Sequence, residues 1–522
     1  MRTGALSLVE TAVRAGVRVC FANPGTTELP IVATVDHVPG LRVVLGLFEG
    51  VCAGAADGWG RMTGRPAATL LHLGPGFANG LAHLHNARRA RTPVVNWIGE
   101  HATGHRSFDA PLTSDIAALT NSVGWTRTIE SPQEIAEAGR AAFEAAMGPP
   151  ARVASLIIPA DCQWEPGPEP LDPRPLPALR QATTSSVQDA ARLLRAAGGG
   201  ILLGGDALKE NGLRAAARVT AATGARAWTE TFPSRHERGW SVPGFPSLPY
   251  FPEQACEALA NLSSLVLAGA RDPVAFFGYP GQPPRLAPES ATVHMLADPD
   301  TGVAATLALE ALADELEAPA AVTVESRSEA PAFAPEDQPL DADSLGRAVS
   351  ALTPEGAIVV NEAATSGLIW SRAYADRAAP HTVLGLTGGA IGTGLPLALG
   401  AALACPDRRV IAFQADGSAL FAPQALWSMA REGTDITVVV CANRCYRILQ
   451  VELGRGTNGK PGPEALALTE LTRPAVDWAA LAKGFGVPAH RVSTDTELGD
   501  ALTRSLAEPG PALIEASLSG DR

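Results

Sequence analysis

Short apolar runs alternate with Ala- and Gly-rich stretches of helical period along nearly the whole chain, and this alternation limits the fold more than any other feature. The runs are VRVCFANPG, AATLLHL and PVVNWIGE early, GILLGG and SLVLAGA in the middle, and AIVVNE, RVIAFQADG and ITVVVCAN late. Runs that stay apolar throughout suit strands buried on both faces, as in a parallel sheet covered by helices. An α/β fold is therefore expected, with ligands beyond the carboxyl ends of the strands. A chain of 522 residues exceeds one ordinary core, and at about 100–200 residues per domain it makes about three. Two proline-rich stretches, Glu165–Pro177 and Ala318–Pro339, mark the joints, because Pro fixes φ and removes a backbone donor. The predicted domains are 1–165, 178–320 and 338–522, each with a mainly parallel sheet flanked by helices.

Charge and composition narrow the partners. A formal net charge of -13, with no long Lys/Arg run, repels nucleic acid and anionic membrane surfaces. No stretch reaches the roughly 18 apolar residues of a membrane span, and MRTGALSLVETAVRAG reads as an amphipathic helix rather than a signal peptide. The seven cysteines are scattered, odd in number and without metal-ligand spacing, which fits a reducing, cytoplasmic setting. No short repeat of fixed period is present.

Chemistry concentrates at strand ends. In RVIAFQADGSALFAPQALWSMAREGTDITVVVCANRCY, Asp416 and Asn443 end two apolar strands 27 residues apart, with helix between them. Their oxygens, with the backbone carbonyl of Cys445, form a hard donor set for Mg²⁺ or Ca²⁺. Gly417 and Ser418 open the following helix, whose N–H groups suit a phosphate. Earlier, Glu49 begins an Ala/Gly-rich helix beside Leu45, Leu47, Phe48 and Val51. A carboxyl so placed is expected to be desolvated, with a raised pKa, and when protonated it can donate to an aromatic ring nitrogen.

The Asp-Gly followed one βαβ unit later by Asn strongly resembles the cofactor motif of thiamine diphosphate-dependent enzymes. Ala415 stands where the family has its first Gly and Ala442 precedes the Asn, and neither change removes a metal ligand. Glu49 to Pro66 resembles the family's segment whose Glu binds the aminopyrimidine ring nitrogen. TGGAIGTGLPLALGAAL, from Thr387 to Leu403, resembles its Gly-rich segment. The resemblance implies that Gly389 offers a backbone carbonyl to the exocyclic amine, that Ile391 wedges the cofactor into its bent shape, and that a divalent ion replaces the missing basic residues at the diphosphate. It also implies a pyrimidine-binding domain, a central Rossmann-like domain and a diphosphate-binding domain. The active sites would form between subunits of a homodimer or homotetramer.

Two branches of that family compete. NPGTTELP (Asn23–Pro30), Glu49, His72 and Asn79 resemble benzoylformate decarboxylase, which makes Thr26 and His72 the substrate-site candidates. His72 can bind a carboxylate when charged and shuttle a proton, or serve only the structure. That enzyme's second His is replaced by Phe276 in DPVAFFGYPGQPP. LGPGFANG, GEHATGHR and NRCYRILQVELGR instead resemble acetolactate synthase large subunit-like proteins. That resemblance implies that Tyr446, Ile448, Leu449 and Glu452 lie over the thiazolium. Glu452 is then either a second acid/base or an exposed helix-face carboxylate. The reaction implied is thiamine diphosphate- and Mg²⁺-dependent decarboxylation of a 2-oxo acid, with carboligation to a second carbonyl compound. Simple decarboxylation is the alternative. A flavin or nicotinamide oxidoreductase is more remote: GGGILLGGDALKENG lacks G-x-G-x-x-G and is compatible with FAD, but a bare sheet is the expectation.

Overall fold

Valine-, isoleucine- and leucine-rich runs become strands and the Ala-rich stretches between them become helices, as their periods dictate. The computed structural model describes residues 2–322, 332–456 and 460–519. The first sheet is wholly parallel, with strands β1 (Val19–Asn23), β2 (Arg42–Leu45), β3 (Ala67–Leu71), β4 (Val94–Glu100), β5 (Trp125–Thr128) and β6 (Val153–Pro159) in the order β2-β1-β3-β4-β6-β5. In the middle segment come β7 (Gly199–Leu203), β8 (Arg226–Thr229), β9 (Arg235–Arg238), β10 (Ser264–Ala268) and β11 (Thr292–Ala297). Four of these make a parallel sheet, β11-β10-β7-β8. The third sheet holds β12 (Ile358–Glu362), β13 (His381–Gly385), β14 (Val410–Ala415), β15 (Ile436–Ala442), β16 (Ala489–Val492) and β17 (Ala512–Ser517) in the order β16-β17-β15-β14-β12-β13-β9.

The fold is thus α/β with three mainly parallel sheets flanked by helices. β9 is the departure: it leaves the central segment and pairs antiparallel with β13. Its sequence, RHER, carries no strand-like apolar pattern. What holds it at the edge is Arg238, whose guanidinium is buried and donates to Asp376 at 2.7 Å and to Ser371 Oγ at 2.9 Å. The Glu165–Pro177 joint runs without helix or strand, touching the rest of the fold through a Pro166–Thr3 bridge. The Ala318–Pro339 joint lies partly outside the described residues.

One apolar core joins the first and third sheets. Val51, Ala55, Leu71 and Phe77 share it with Leu395, Ala398, Val410 and Val438. At its centre the Glu49–Thr63 and Gly394–Ala404 helices cross with their backbones touching. A Cβ on Gly58 would lie 2.1 Å from the Leu397 carbonyl oxygen, and one on Gly400 would lie 1.9 Å from that of Ala55. A methyl at either position would force the helices apart, costing about 1–3 kcal/mol as ordinary overpacking does. This close crossing fixes the carboxyl ends of the first sheet, which carry Glu28, Glu49 and His72, relative to those of the third, which carry Glu362, Gly389, Asp416 and Asn443. Among the described residues no helix is long and apolar enough to cross a membrane.

Candidate active site

Glu49 is the first residue of its helix and is 6% exposed. Its Oε2 accepts from Asn79 Nδ2 at 2.9 Å. Gly76 makes room for the other oxygen, since a Cβ there would come 2.9 Å from Oε1. The apolar neighbours expected from sequence contribute unequally: Val51 is buried, but Leu47 points to solvent at 43% exposure. The carboxyl is covered instead by the Leu73–Ala90 helix, which carries both Gly76 and Asn79.

His72 stands between β3 and that helix, with Leu73 at φ 48° turning the chain. Its Nδ1 lies 2.8 Å from Glu28 Oε2. Glu28 is fully buried, and its carboxylate also accepts from Gly25 N at 2.8 Å and Thr27 Oγ1 at 2.6 Å. Two glycines admit this pair: a Cβ on Gly25 would sit 2.2 Å from His72 Nδ1, and one on Gly99 would sit 1.6 Å from Glu28 Oε1. Thr26, expected beside His72, is exposed on the short turn Thr26–Glu28; the hydroxyl near the imidazole is that of Thr27, at 3.4 Å. Sequence reasoning missed Glu28. The available signal was its place three residues after Gly25, where a Glu reaches back to the turn's first amide. With Glu28 on Nδ1, the imidazole is held so that Nε2 is the nitrogen left for proton exchange.

In the third domain, adjacent β14 and β15 bring Asp416 and Asn443 together. Asp416 Oδ1 accepts from Gly417 N at 2.8 Å and Oδ2 from Arg444 N at 2.7 Å, while burial pushes the carboxyl up to about 6. Asn443 Oδ1 accepts from the Cys445 amide at 3.1 Å. The bridge between Cys445 and Glu470 uses the Arg444 carbonyl and the Tyr446 amide, while the Cys445 amide turns to Asn443. One carboxylate, one amide oxygen and a backbone carbonyl suit Mg²⁺ or Ca²⁺. Among the described residues no group of three His, Cys, Asp or Glu could hold an ion without such neutral oxygens. The phosphate cradle differs from expectation. The helix starting at Asp416 is a single turn, Asp416–Ala419, and the Gly417 N–H is spent on Asp416. Ser418 is buried there, and the Tyr446 ring covers Gly417, where a Cβ would lie 2.5 Å from Cε1.

The Gly-rich loop follows β13. Gly389 is exposed at φ 78° and Ile391 half-buried. Glu362, at the end of β12, accepts from Gly392 N at 2.8 Å, Gly394 N at 2.7 Å and Thr393 N at 3.3 Å, and burial pushes it up to about 7. This second missed residue had only a strand-terminal acid in VVNE as its signal. Phe276 packs on the loop: a Cβ on Gly389 would be 2.8 Å from its Cζ, and its ring meets Phe232 and Phe277 at 5.2 and 4.8 Å. Glu452 is not a free helix-face carboxylate; it accepts from Tyr279 OH at 2.9 Å and lies 3.5 Å from Arg455 Nε. Ile448 and Leu449 lie on the same Arg447–Gly456 helix, Leu449 at 47% exposure. No hydrogen bond or ion pair among the described residues joins Glu49, Glu28 or His72 to Asp416 or Asn443.

Two half-sites of this kind, on two parallel sheets that share a core, are what an enzyme needs to grip a long cofactor at both ends. The chain belongs to the thiamine pyrophosphate enzymes: models of that family's N-terminal and C-terminal TPP binding domains match residues 2–121 and 364–516. Within the family it falls in the acetolactate synthase and benzoylformate decarboxylase class. It is 49% identical over 98% of both chains to a Mycobacterium tuberculosis protein named as a candidate acetolactate synthase large subunit, IlvX. It is 30% identical to benzoylformate decarboxylase of Pseudomonas aeruginosa, over 99% of this chain and 98% of that one. Its fold matches that of a Rhodococcus jostii thiamine diphosphate-dependent 4-hydroxybenzoylformate decarboxylase over the full length of both, with a TM-score of 0.86 at 23% identity.

Proposed function

We propose that the chain decarboxylates a 2-oxo acid with thiamine diphosphate and Mg²⁺, and joins the retained acyl unit to a second carbonyl compound. The observation that carries this reading is the buried Glu49 with its single side-chain donor, Asn79, a carboxyl placed to meet an aromatic ring nitrogen. When bound, thiamine diphosphate supplies a nucleophilic carbon for the oxo group and an electron sink that lets CO₂ leave. Asp416, Asn443 and the Cys445 carbonyl would hold the metal, with Gly417, Ser418 and Tyr446 around the diphosphate. Gly389 would accept from the exocyclic amine, and Ile391 would pack against the cofactor.

His72, oriented by Glu28, binds the substrate carboxylate when charged and exchanges a proton at Nε2. Phe276 carries no exchangeable proton where the decarboxylase resemblance has its second His, which favours capture by a second carbonyl over protonation. The balance is then two 2-oxo acids giving CO₂ and one hydroxy-oxo acid, with no oxidant required. The His72–Glu28 pair also favours a second reading, simple decarboxylation, in which one 2-oxo acid takes up a proton and leaves as CO₂ and an aldehyde. The cofactor's two ends would be held by different subunits of a homodimer or homotetramer.

The test is to incubate the purified protein with thiamine diphosphate, Mg²⁺ and pyruvate, 2-oxobutyrate, benzoylformate or phenylpyruvate, measuring CO₂ and organic products. CO₂ with a condensed hydroxy-oxo product is the expected outcome. CO₂ with free aldehyde alone establishes the second reading, and no CO₂ from any of the four refutes both.

A further inference from the structure

We infer that Asn86 is the positioning residue of the cofactor loop, and that the helix carrying it sets both half-sites at once; this rests on the thiamine diphosphate reading above. Asn86 belongs to the first domain and is fully buried. Its amide spends its whole hydrogen-bonding capacity on the Gly-rich loop of the third domain. Oδ1 accepts from Gly388 N at 3.1 Å and Ala390 N at 3.3 Å, and Nδ2 donates to Ala390 O at 2.7 Å and Thr393 Oγ1 at 2.5 Å. The Asn86 carbonyl accepts from Thr387 Oγ1 at 2.8 Å. Neighbouring residues of the same helix add to the grip, His83 Nδ1 lying 3.0 Å from Thr393 Oγ1 and His85 Nε2 lying 3.1 Å from the Gly388 carbonyl.

The pattern of bonds along the loop shows what this grip achieves. The amides of 388 and 390 go to Asn86, and those of 392, 393 and 394 go to Glu362. No hydrogen bond among the described residues ends on the Gly389 carbonyl, which stays exposed between two fixed neighbours. Pinning 388 and 390 aims that carbonyl and sets Ile391. Two helical turns before Asn86, about 10 Å along the axis, Asn79 of the same helix donates to Glu49. One rigid rod therefore positions the acid of one half-site and the loop of the other. Asn86 makes no hydrogen bond to Asp416, Ser418 or Asn443, and the loop meets that end through packing of Gly392 on the Ser418 carbonyl, so metal–diphosphate binding is expected to be largely independent of Asn86.

That independence supplies the test. Wild type, Asn86→Ala and Thr393→Val are titrated with thiamine diphosphate and with inorganic diphosphate, each with Mg²⁺, by calorimetry. Asn86→Ala is expected to weaken thiamine diphosphate at least tenfold while changing inorganic diphosphate less than twofold. Thr393→Val, which removes the hydroxyl that meets Asn86, His83 and the Ala390 carbonyl and keeps the side-chain shape, is expected to show a smaller loss with the same selectivity, and it carries the test if Asn86→Ala does not fold. Equal losses for both ligands, or no loss for either, overturn the inference alone. Failure of wild type to bind thiamine diphosphate removes the underlying reading and the inference with it.

Discussion

Glu49 and Asp416 are both buried, and what surrounds each sorts their chemistry. Glu49 faces one amide side chain, whereas Asp416 is met by two backbone N–H groups that stabilise its charged form against the desolvation that raises its pKa. Glu49→Gln is therefore expected to keep the fold and cofactor affinity but lower kcat by about 100-fold or more, the scale of a lost general acid/base. Asp416→Ala is expected to abolish Mg²⁺-dependent cofactor binding. Turnover retained in the first variant, or affinity retained in the second, would sink the assigned role. Both residues were legible because each sits inside a local motif. Glu28 was not, because 44 residues separate it from His72 and only the register of β1 beside β3 brings them together. The choice between Thr26 and Thr27 was likewise beyond sequence, since the pitch of a three-residue turn decides which hydroxyl faces the imidazole.

At the scale of elements, the loop after β13 and the end of β12 form one unit through Glu362. Burial lifts this carboxyl from an ordinary 4.5 to about 7, so between those values the folded chain holds more protons than the unfolded one. Its contribution to stability is fully present below about 4.5 and is lost as pH rises towards 7. Glu362→Gln, which cannot titrate, should flatten the fall of melting temperature between pH 4.5 and 7 in the cofactor-free protein. Some slope should remain, because Glu230 is raised in the same way. A calorimetric series across that range checks this, and an unchanged slope would count against it. Element order was readable from the apolar runs, since parallel strands buried on both faces need no alternation. β9 was unreadable for the complementary reason: a buried ion pair holds it in the sheet, and its four residues carry no apolar pattern.

For the whole molecule, the crossing at Gly58 and Gly400 locks the first and third sheets into one core, yet no hydrogen bond or ion pair among the described residues joins Glu49 to Asp416. In the proposed assembly each cofactor would span two chains, with Glu49 of one subunit serving the metal site of another. The α/β architecture and both half-sites were legible as local patterns, but the path linking them was not. It runs along one face of the Leu73–Ala90 helix, through Asn79, His83 and Asn86, and only the packed structure shows what those side chains meet. The most direct test is complementation: Glu49→Gln and Asp416→Ala chains, each inactive alone, are co-expressed and assayed for CO₂ release with thiamine diphosphate and Mg²⁺. Activity is expected to return, because a mixed pair contains one site with both wild-type residues. Mixed pairs that form but remain inactive would contradict it.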